Sequence, residues 1–402
     1  MDLSFYSNFT SSLAAQEAQI NVLQQQISTG LSVQTPDQNP AAYETAALGN
    51  DQVSRLANDN TTQAAIQVQL GSANNAYSSV GNMLNNVQSL VEQALNGTTN
   101  SQNLNALAGQ VQSASQQLLS FGNTTAPNGT YLFGGSRGGV APFQADASGN
   151  IVYYGDGAAS QASIGEDTTA ITIANGTVFV SALQGDGVGA VSATAANTGT
   201  GQIIPQGTVN AAAANAFQQG SSPITVTFGA GNTYTAAQGG STIASGTLST
   251  SGTSGTSVQL AGVDYNITGA PASGDSFTIA PARTQSVFTL LKTIYAAMSN
   301  AGSTPAQVAQ TNQLLNQSLA GISQYQQSFT TAQAQNGVTL QAITATATGN
   351  TNQSTEAQTN VTNATAVNAP AAIASLDQTM TALQAAMKTF GTVQGLSLFN
   401  YI

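Results

Sequence analysis

The sequence predicts an α+β protein: a long coiled-coil-like helical bundle built from both ends of the chain, with an inserted and mainly β central domain. Two observations indicate this fold class. Near both ends, apolar residues recur at alternating spacings of three and four, the pattern of a coiled-coil seam. Between about 140 and 280, short β-branched and aromatic runs alternate with Gly-rich and Ser/Thr-rich breaks, which is typical of strands.

The central helical element covers residues 66–94, where the apolar spacing is 4-3-4-3-4-3-4-3. No proline interrupts residues 41–126, so this helix is expected to be very long. A single helix cannot bury its own seam, so the pattern predicts partner helices. Ala73 and Ala94 complete the spacing of what we call the bundle seam, whose larger members are Ile66, Leu70, Tyr77, Val80, Leu84, Val87 and Val91.

The N-terminal 35 residues predict a separate helix with a sparse apolar seam. Gly30 is expected to end it, as a glycine just beyond a helix commonly does. Pro36 and Pro40 then break the chain, because each proline disfavours helix in the residue before it, and a new helix is expected to start near Ala41. The sparse seam consists of Leu13, Ile20, Leu23 and Ile27.

A third seam follows a predicted turn at Asn96-Gly97, and it is expected to be the first partner of the central helix. Its members are Leu104, Leu107, Val111, Ala114, Leu118 and Phe121. The segment PNGTYLFGG at 127–135 then predicts an aromatic strand and a turn at Gly134 and Gly135.

The segment 140–281 is expected to form one β domain. Residues 184–215 show no clear pattern, which leaves a loop or a small irregular structure open. The predicted strands are 151–154, 171–173, 177–180, 224–228, 257–260, 263–267 and 276–279.

Helical patterns return after Pro281. The proline at Pro370 predicts a break near Asn368, before the last helix and a strongly apolar C-terminal tail. The predicted seam residues are Val287, Leu291, Ile294 and Met298; Val308, Leu315, Leu319, Ile322 and Phe329; and Ile373, Leu376, Met380, Leu383, Met387 and Phe390. The N- and C-terminal helices are therefore expected to lie side by side.

Composition excludes several functional classes. Five basic residues, scattered singly in a chain of net charge −11, argue against nucleic-acid binding. The chain has no Cys and no His, which removes disulfides, thiol nucleophiles and the commonest metal ligands and general base. We expect no cofactor and no membrane insertion, since no run of about 18 apolar residues occurs. The first residues have no basic and apolar leader, so no cleavable secretory signal is expected.

Three short motifs could suggest chemistry, and each is better explained as a turn or a solvated loop. Residues 134–138 match the G-x-S-x-G nucleophile elbow by letter, but a chain without His cannot build the Ser-His-acid triad. The Gly-Asp-Gly segments at 155–157 and 185–187 are not arranged as tandem calcium-binding repeats. Glu166 and Asp167 are expected to be solvated. The chain is therefore not expected to be an enzyme.

Specific motifs resemble the flagellin-like axial proteins of the bacterial flagellum and, more narrowly, the hook–filament junction family of hook-associated protein 3. The N-terminal motifs are QQISTGL at 25–31 and TPDQNPAA at 35–42, and the remaining ones are GTYLFGG at 129–135, the β segment 263–279, TALQAAM at 381–387 and LSLFNYI at 396–402. The family usually has an acidic pair before the proline of the first motif, and here Gln38 and Asn39 replace part of that pair after Asp37. The chain also departs from the family at Pro370, where the C-terminal helix of the family usually carries acidic residues.

The resemblance implies a structural subunit, secreted unfolded by type III export, that self-assembles into an adaptor layer between hook and filament. It implies an inner assembly segment at 1–40 and an inner helix at 371–402, bundle segments at 41–139 and 282–370, and an outer domain at 140–281. Expected partners are copies of the chain, a neighbouring hook-associated protein, flagellin and an export chaperone. The implied self-assembly residues are Leu13, Ile20, Leu23, Ile27, Leu383, Met387, Phe390, Leu396, Leu398 and Phe399.

Two alternatives stay open from the residues alone. The first is flagellin itself, the filament subunit, although its family lacks the Tyr-Leu-Phe-Gly-Gly turn found here at 131–135. The second is a surface adhesin whose β domain binds glycans, although the chain has no Trp for stacking on a sugar ring.

Overall fold

The structure, a computed structural model, describes residues 3–96, 100–158, 160–165, 168–173, 175–249 and 255–399. It confirms the α+β fold class, with long helices towards both ends and a β-rich segment between them. The helices are α1 (Leu3–Thr29), α2 (Pro40–Leu95), α3 (Ser101–Gly122), α4 (Ala211–Gln219), α5 (Val287–Ser299), α6 (Pro305–Thr365) and α7 (Ala369–Phe399).

The strands are short and antiparallel. They are β1 (Phe143–Ala145), β2 (Ile151–Tyr153), β3 (Ser160–Gly165), β4 (Thr168–Ile173), β5 (Ala182–Leu183), β6 (Gly189–Ala193), β7 (Gln202–Thr208), β8 (Ile224–Gly229), β9 (Thr233–Gln238), β10 (Ser241–Thr247), β11 (Thr256–Leu260), β12 (Val263–Thr268), β13 (Ser276–Pro281) and β14 (Thr284–Gln285). A five-stranded sheet has the order β10-β9-β8-β13-β6, a three-stranded sheet has the order β11-β12-β7, and the other strands form pairs.

The chain divides into two compact units. The first contains residues 1–62 and 345–402, and the second contains residues 63–344. The first unit therefore joins the two ends of the sequence, and the second holds the middle of the chain. The segment boundaries at 40/41, 139/140, 281/282 and 370/371 stay predictions.

The second unit has a helical core and a separate β core. The helical core is formed by α2, α3, α5 and α6 together with residues from 126–182. Every residue of the bundle seam is at most 6% exposed. Ile66 and Leu70 pack with Ile164 and Ile343 in a smaller cluster. Burial of this seam is what makes a long Gln- and Asn-rich helix stable in water, because burial of apolar area is the main favourable term in folding.

Aromatic rings close the helical core where the first part of the central segment meets the bundle. Phe179 has no exposed surface, and its ring lies 5.0 Å from the rings of Phe143 and Phe329 and 5.2 Å from Phe133. Aromatic pairs at such distances add about 0.5–1.5 kcal/mol each beyond their buried area. Residues 143–182 thus contribute to the same core as the helices.

The β core lies between the five-stranded and three-stranded sheets, with Phe217 of α4 packed against it. β12 and β13 show the expected alternation, with every second residue buried. Period-two burial is what a strand with one face on a core requires.

Several local predictions are wrong. Residues 177–180, predicted as a strand, lie largely in a short 3₁₀ helix at Gly176–Phe179, capped by the side chain of Asn175. At residues 130–133 the predicted strand is reduced to one antiparallel bridge, between Tyr131 and Thr125, followed by a turn, with Gly129 and Gly135 at positive φ. In both places a polar cap or a glycine turn outweighs the β propensity of the aromatic and branched residues.

The patternless stretch 184–215 contains β6, β7 and the start of α4. Val308, predicted as a seam residue of α6, is exposed. The predicted pairing of α3 with the central helix needs a correction as well: the two share a core, but α3 runs closest to α5. An apolar seam fits any apolar partner, so spacing alone cannot choose between them.

The predicted helix ends at prolines and glycine are confirmed. Gly30 ends α1 at a φ of +75°, with its N–H donated to the Gln26 carbonyl at 2.9 Å. Asn39 caps α2 just before Pro40, the first helical position, where a missing N–H costs nothing. Asn368 caps α7 in the same way, one residue before Ala369.

Candidate assembly interface

The first unit brings the two ends of the chain together as a helix pair, because α1 packs along α7. Phe9 stacks on Phe390 with ring centroids 4.3 Å apart and planes 6° apart, and Tyr6 lies 5.9 Å from the same ring. The N-terminal helix is thus held against the C-terminal helix by aromatic contacts near the chain ends.

The predicted seam residues of α1 all lie on the face of the helix that packs against α7. Leu13, Ile20, Leu23 and Ile27 are half-buried, as are Phe9 and Gln16. Together these six residues follow a spacing of 4-3-4-3-4. The sequence prediction included Leu13 but missed Phe9 and the polar Gln16. Its Oε1 is buried without a hydrogen-bond partner.

On α7 only part of the predicted seam faces α1. Leu376, Leu383 and Phe390 are half-buried. Ile373, Met380 and Met387 are 48%, 40% and 50% exposed, and we call these three residues the open stripe. The side chains of Leu396, Leu398 and Phe399 lie outside the part of the chain whose side chains the structure describes.

The open stripe is the uncovered half of one apolar arc. Its members are a heptad apart, and each lies roughly 40–60° round the helix from the half-buried row, since an α-helix turns about 100° per residue. A helix in water normally covers such an arc. α1 covers one side of it, which leaves the other side available to a further helix.

The two connectors beside this pair are joined by backbone hydrogen bonds. The Ser32 N–H donates to the Thr365 carbonyl at 2.7 Å, and the Val367 N–H donates to the Gly30 carbonyl at 2.9 Å. The break between α1 and α2 and the break between α6 and α7 therefore lie side by side. This pairing fixes where α1 ends and where α7 begins.

Charge contributes little to the interface. In the described ranges the one ion pair joins Arg55 to Asp51, two exposed side chains one turn apart on α2. No ion pair links α1 to α7 among the described residues, so their register depends on apolar packing. Exposed ion pairs of this kind contribute about 0–1 kcal/mol.

The motifs that could have suggested catalysis are structural turns. The Ser136 hydroxyl and N–H both donate to the carboxylate of Asp156, the latter at 2.8 Å, and these bonds lower the pKa of Asp156. Asp186 accepts from the N–H groups of Val188 and Gly189 at 2.9 and 2.8 Å. These oxygens stabilise turns of the backbone.

Gly134 and Gly135 also serve this turn. Gly135 has a φ of +66°, and a Cβ there would lie 2.6 Å from the Asp156 carbonyl oxygen. Only glycine fits both the backbone conformation and the space. Gly134 accepts from the Arg137 and Asp156 N–H groups at 3.2 and 3.3 Å. Glu166 and Asp167 lie outside the described residues.

Within the described ranges, acidic residues do not cluster in a way that could hold a metal ion. None of the helices in the described part of the chain is both long enough and apolar enough to cross a membrane. The prominent chemical feature of the first unit is therefore the partly covered apolar arc of α7.

Residues 2–137 match the bacterial flagellin N-terminal helical region. Over 119 residues the chain is 29% identical to flagellar hook-associated protein 3 of Escherichia coli (strain K12), which covers 30% of this chain. The aligned stretch spans 38% of that relative's length.

Two crystal structures share the fold over most of their length. FlgL of Xanthomonas campestris has a TM-score of 0.68 at 28% identity, covering 77% of this chain and 97% of that one. Flagellar hook-associated protein 3 of Legionella pneumophila has a TM-score of 0.70 at 22% identity, covering 79% and 98%. These similarities confirm the resemblance that the motifs predict: the chain resembles the hook-associated proteins 3 among the flagellin-like axial proteins.

Proposed function

We propose that this chain is a structural subunit of the bacterial flagellum that forms the adaptor layer between hook and filament. The observation that carries the proposal is the α1–α7 pair with its open stripe, in a chain similar to hook-associated protein 3. A paired helix with half of its apolar arc uncovered is suited to packing against the same pair in neighbouring copies.

In this proposal the self-assembly residues act in two groups. Leu13, Ile20, Leu23 and Ile27 hold α1 against Leu383 and Phe390 of α7, and Met387 packs against the next copy with the rest of the open stripe. For Leu396, Leu398 and Phe399 we propose the same self-assembly role, which the family resemblance implies. Residues 1–40 and 371–402 form the inner layer, 41–139 and 282–370 the helical bundle, and 140–281 the outer domain.

The proposed role also implies which proteins the chain contacts and how it leaves the cell. The layer contacts a neighbouring hook-associated protein on one side and flagellin on the other. The chain leaves the cell through the flagellar export channel and functions outside it, and an export chaperone covers the apolar C-terminus before export. Its role is mechanical and not enzymatic.

The filament subunit is a second candidate, favoured by the match to the flagellin N-terminal helical region. The two candidates differ in what purified protein does. A filament subunit polymerises by itself into long filaments, whereas an adaptor needs a hook end to assemble on. Electron microscopy of concentrated pure protein separates the two.

The experiment that tests the proposal removes residues 371–402 and expresses the shortened chain in a strain that lacks the natural gene. We expect the shortened protein to keep the compact unit at 63–344, measured by circular dichroism, and to restore no filaments. Restoration of normal filaments by the shortened chain would contradict the proposal.

A further inference from the structure

We propose that a cleft beside α6, in the second unit, binds an extended and uncharged stretch of backbone from a second copy of this chain. The inference rests on the proposed function in one respect, namely that copies of the chain pack together. It adds a specific binding surface that the terminal helices do not provide.

The cleft has a volume of about 550 Å³ and lies between α6 and residues 175–181. None of its lining residues is charged. Its polar lining consists of side-chain amides and hydroxyls, among them Asn175, Thr177, Gln327, Thr331, Gln335 and Asn336. Such a surface matches a neutral ligand with alternating hydrogen-bond donors and acceptors.

One amide in the cleft has no partner. Asn336 is only 9% exposed, and its Nδ2 is buried without a hydrogen-bond acceptor. Buried donors are nearly always paired in folded proteins, and an unpaired one costs free energy. A carbonyl oxygen brought by a ligand would satisfy it.

The same helix already binds extended backbone with three side-chain amides, one in the cleft lining and two roughly three to four turns before it. The side-chain amide of Gln313 makes two hydrogen bonds to the backbone of Ile203 in β7. Its oxygen accepts from the Ile203 N–H and its nitrogen donates to the Ile203 carbonyl, each at 2.8 Å. Gln310 donates to the carbonyls of residues 194, 195 and 197, and Gln324 donates to the carbonyl of Asp186. Side-chain amides of α6 thus already bind peptide backbone within the folded chain.

Two further side-chain amides of α6 have no hydrogen-bond partner among the described residues. The side chains of Gln327 and Gln335 take part in none of the hydrogen bonds among the described residues, and both line the cleft. They are eight residues apart, which is roughly 12 Å along a helix. An extended chain covers that distance in about four residues at about 3.3 Å each. Two amides at this separation therefore suit one short extended segment.

The occupant is expected to be a copy of this chain for two reasons. The cleft offers no charge to pair with a charged partner, and only 5% of this chain is charged, so its own surface supplies long uncharged stretches. A saccharide is disfavoured, because Tyr77 is the one aromatic residue in the lining and it is 2% exposed. A sugar would find no open aromatic face on which to stack.

The test uses purified full-length protein in which Thr339, a lining residue about one turn beyond Gln335, is replaced by the photo-reactive residue p-benzoylphenylalanine. Illumination at high protein concentration is expected to yield a cross-linked dimer, with the attachment point mapped by mass spectrometry to an uncharged segment of the other copy. Adding Thr331→Arg should reduce the dimer at least tenfold, because a long charged side chain fills the cleft.

Thr330→Arg is the matched control. Thr330 and Thr331 are both exposed, and both donate their hydroxyl to the carbonyl four residues earlier, but only Thr331 lines the cleft. The control should change the dimer yield by less than twofold.

A third variant, Asn336→Leu, removes the unpaired donor at nearly constant volume. It should reduce the dimer without lowering the thermal unfolding temperature, a combination that a merely structural role for Asn336 would not produce. The inference is overturned if no interchain cross-link forms, or if Thr330→Arg and Thr331→Arg reduce it equally. The cross-linking measurement needs no flagellum, so its result would decide for or against binding in the cleft even if the proposed function were wrong.

Discussion

Met380 of the open stripe offers a direct test of how the chain assembles, through Met380→Glu. The side chain is 40% exposed in the single chain, so assembly has less than half of it left to bury. Complete burial of such a side chain contributes about 1.5–3 kcal/mol, so the remaining part contributes about 1 kcal/mol. A carboxylate buried there instead costs several kcal/mol.

The expected loss is therefore at least about 3 kcal/mol for each contact, more than a hundredfold in the equilibrium constant. Because the position is exposed in the single chain, the melting temperature of the monomer should hardly change. In a strain without the natural gene, Met380→Glu should restore fewer than a tenth of the wild-type number of filaments per cell, counted by electron microscopy.

Thr381→Glu is the matched control for Met380→Glu. It adds the same charge one residue later, on a polar and exposed part of α7 away from the open stripe. It should restore filaments at close to the wild-type number. Equal restoration by Met380→Glu and the control would refute the assignment of the open stripe to assembly.

Three further predictions concern the second unit. Phe179→Ala should lower the free energy of unfolding by about 3–5 kcal/mol in urea titrations followed by circular dichroism, since it empties a fully buried aromatic site. Tyr154→Ala, at a partly exposed position in the same segment, should lower it by no more than about 1 kcal/mol. In thermal melts, Gly135→Ala should destabilise the fold more than Gly129→Ala: both glycines have positive φ, but only at Gly135 would the new Cβ meet other atoms. Hydrogen bonding lowers the pKa of Asp156 in the folded state, so its contribution is present above its unfolded-state pKa and lost as pH falls through the folded value; Asp156→Asn should flatten the fall of the urea midpoint below about pH 4.

The long helices could be predicted because their signal is local. The apolar spacing of α2 repeats through residues 66–94, and Pro40, Gly30 and Asn368 mark helix ends by their own backbone chemistry. The bundle seam was visible for the same reason, since spacing alone determines which residues of a helix share a face.

The β segments were harder because their pairing is not local. β13 lies between β6 and β8, strands drawn from separate parts of the chain, and β6 lies in a stretch without any visible pattern. A five-residue strand of Gly, Ala, Val and Ser carries almost no periodic signal, and it becomes a strand through its neighbour.

The candidate interface was predicted in part. Sequence spacing identified the apolar arc of α7 but not which half of it α1 would cover. It also missed Phe9, which lies about one turn before Leu13 on the same face of α1. Which side of an arc is left open depends on the crossing of two helices, and that crossing is set by packing in three dimensions.

The most direct measurement of the central claim is deletion of the gene in the bacterium that encodes this chain. Cell surfaces would be imaged by electron microscopy, and the culture medium would be assayed for flagellin. The account predicts bare hooks, with flagellin released into the medium because the filament has no layer on which to grow. Normal filaments on normal hooks would contradict it, as would intact hooks from cells that make no flagellin.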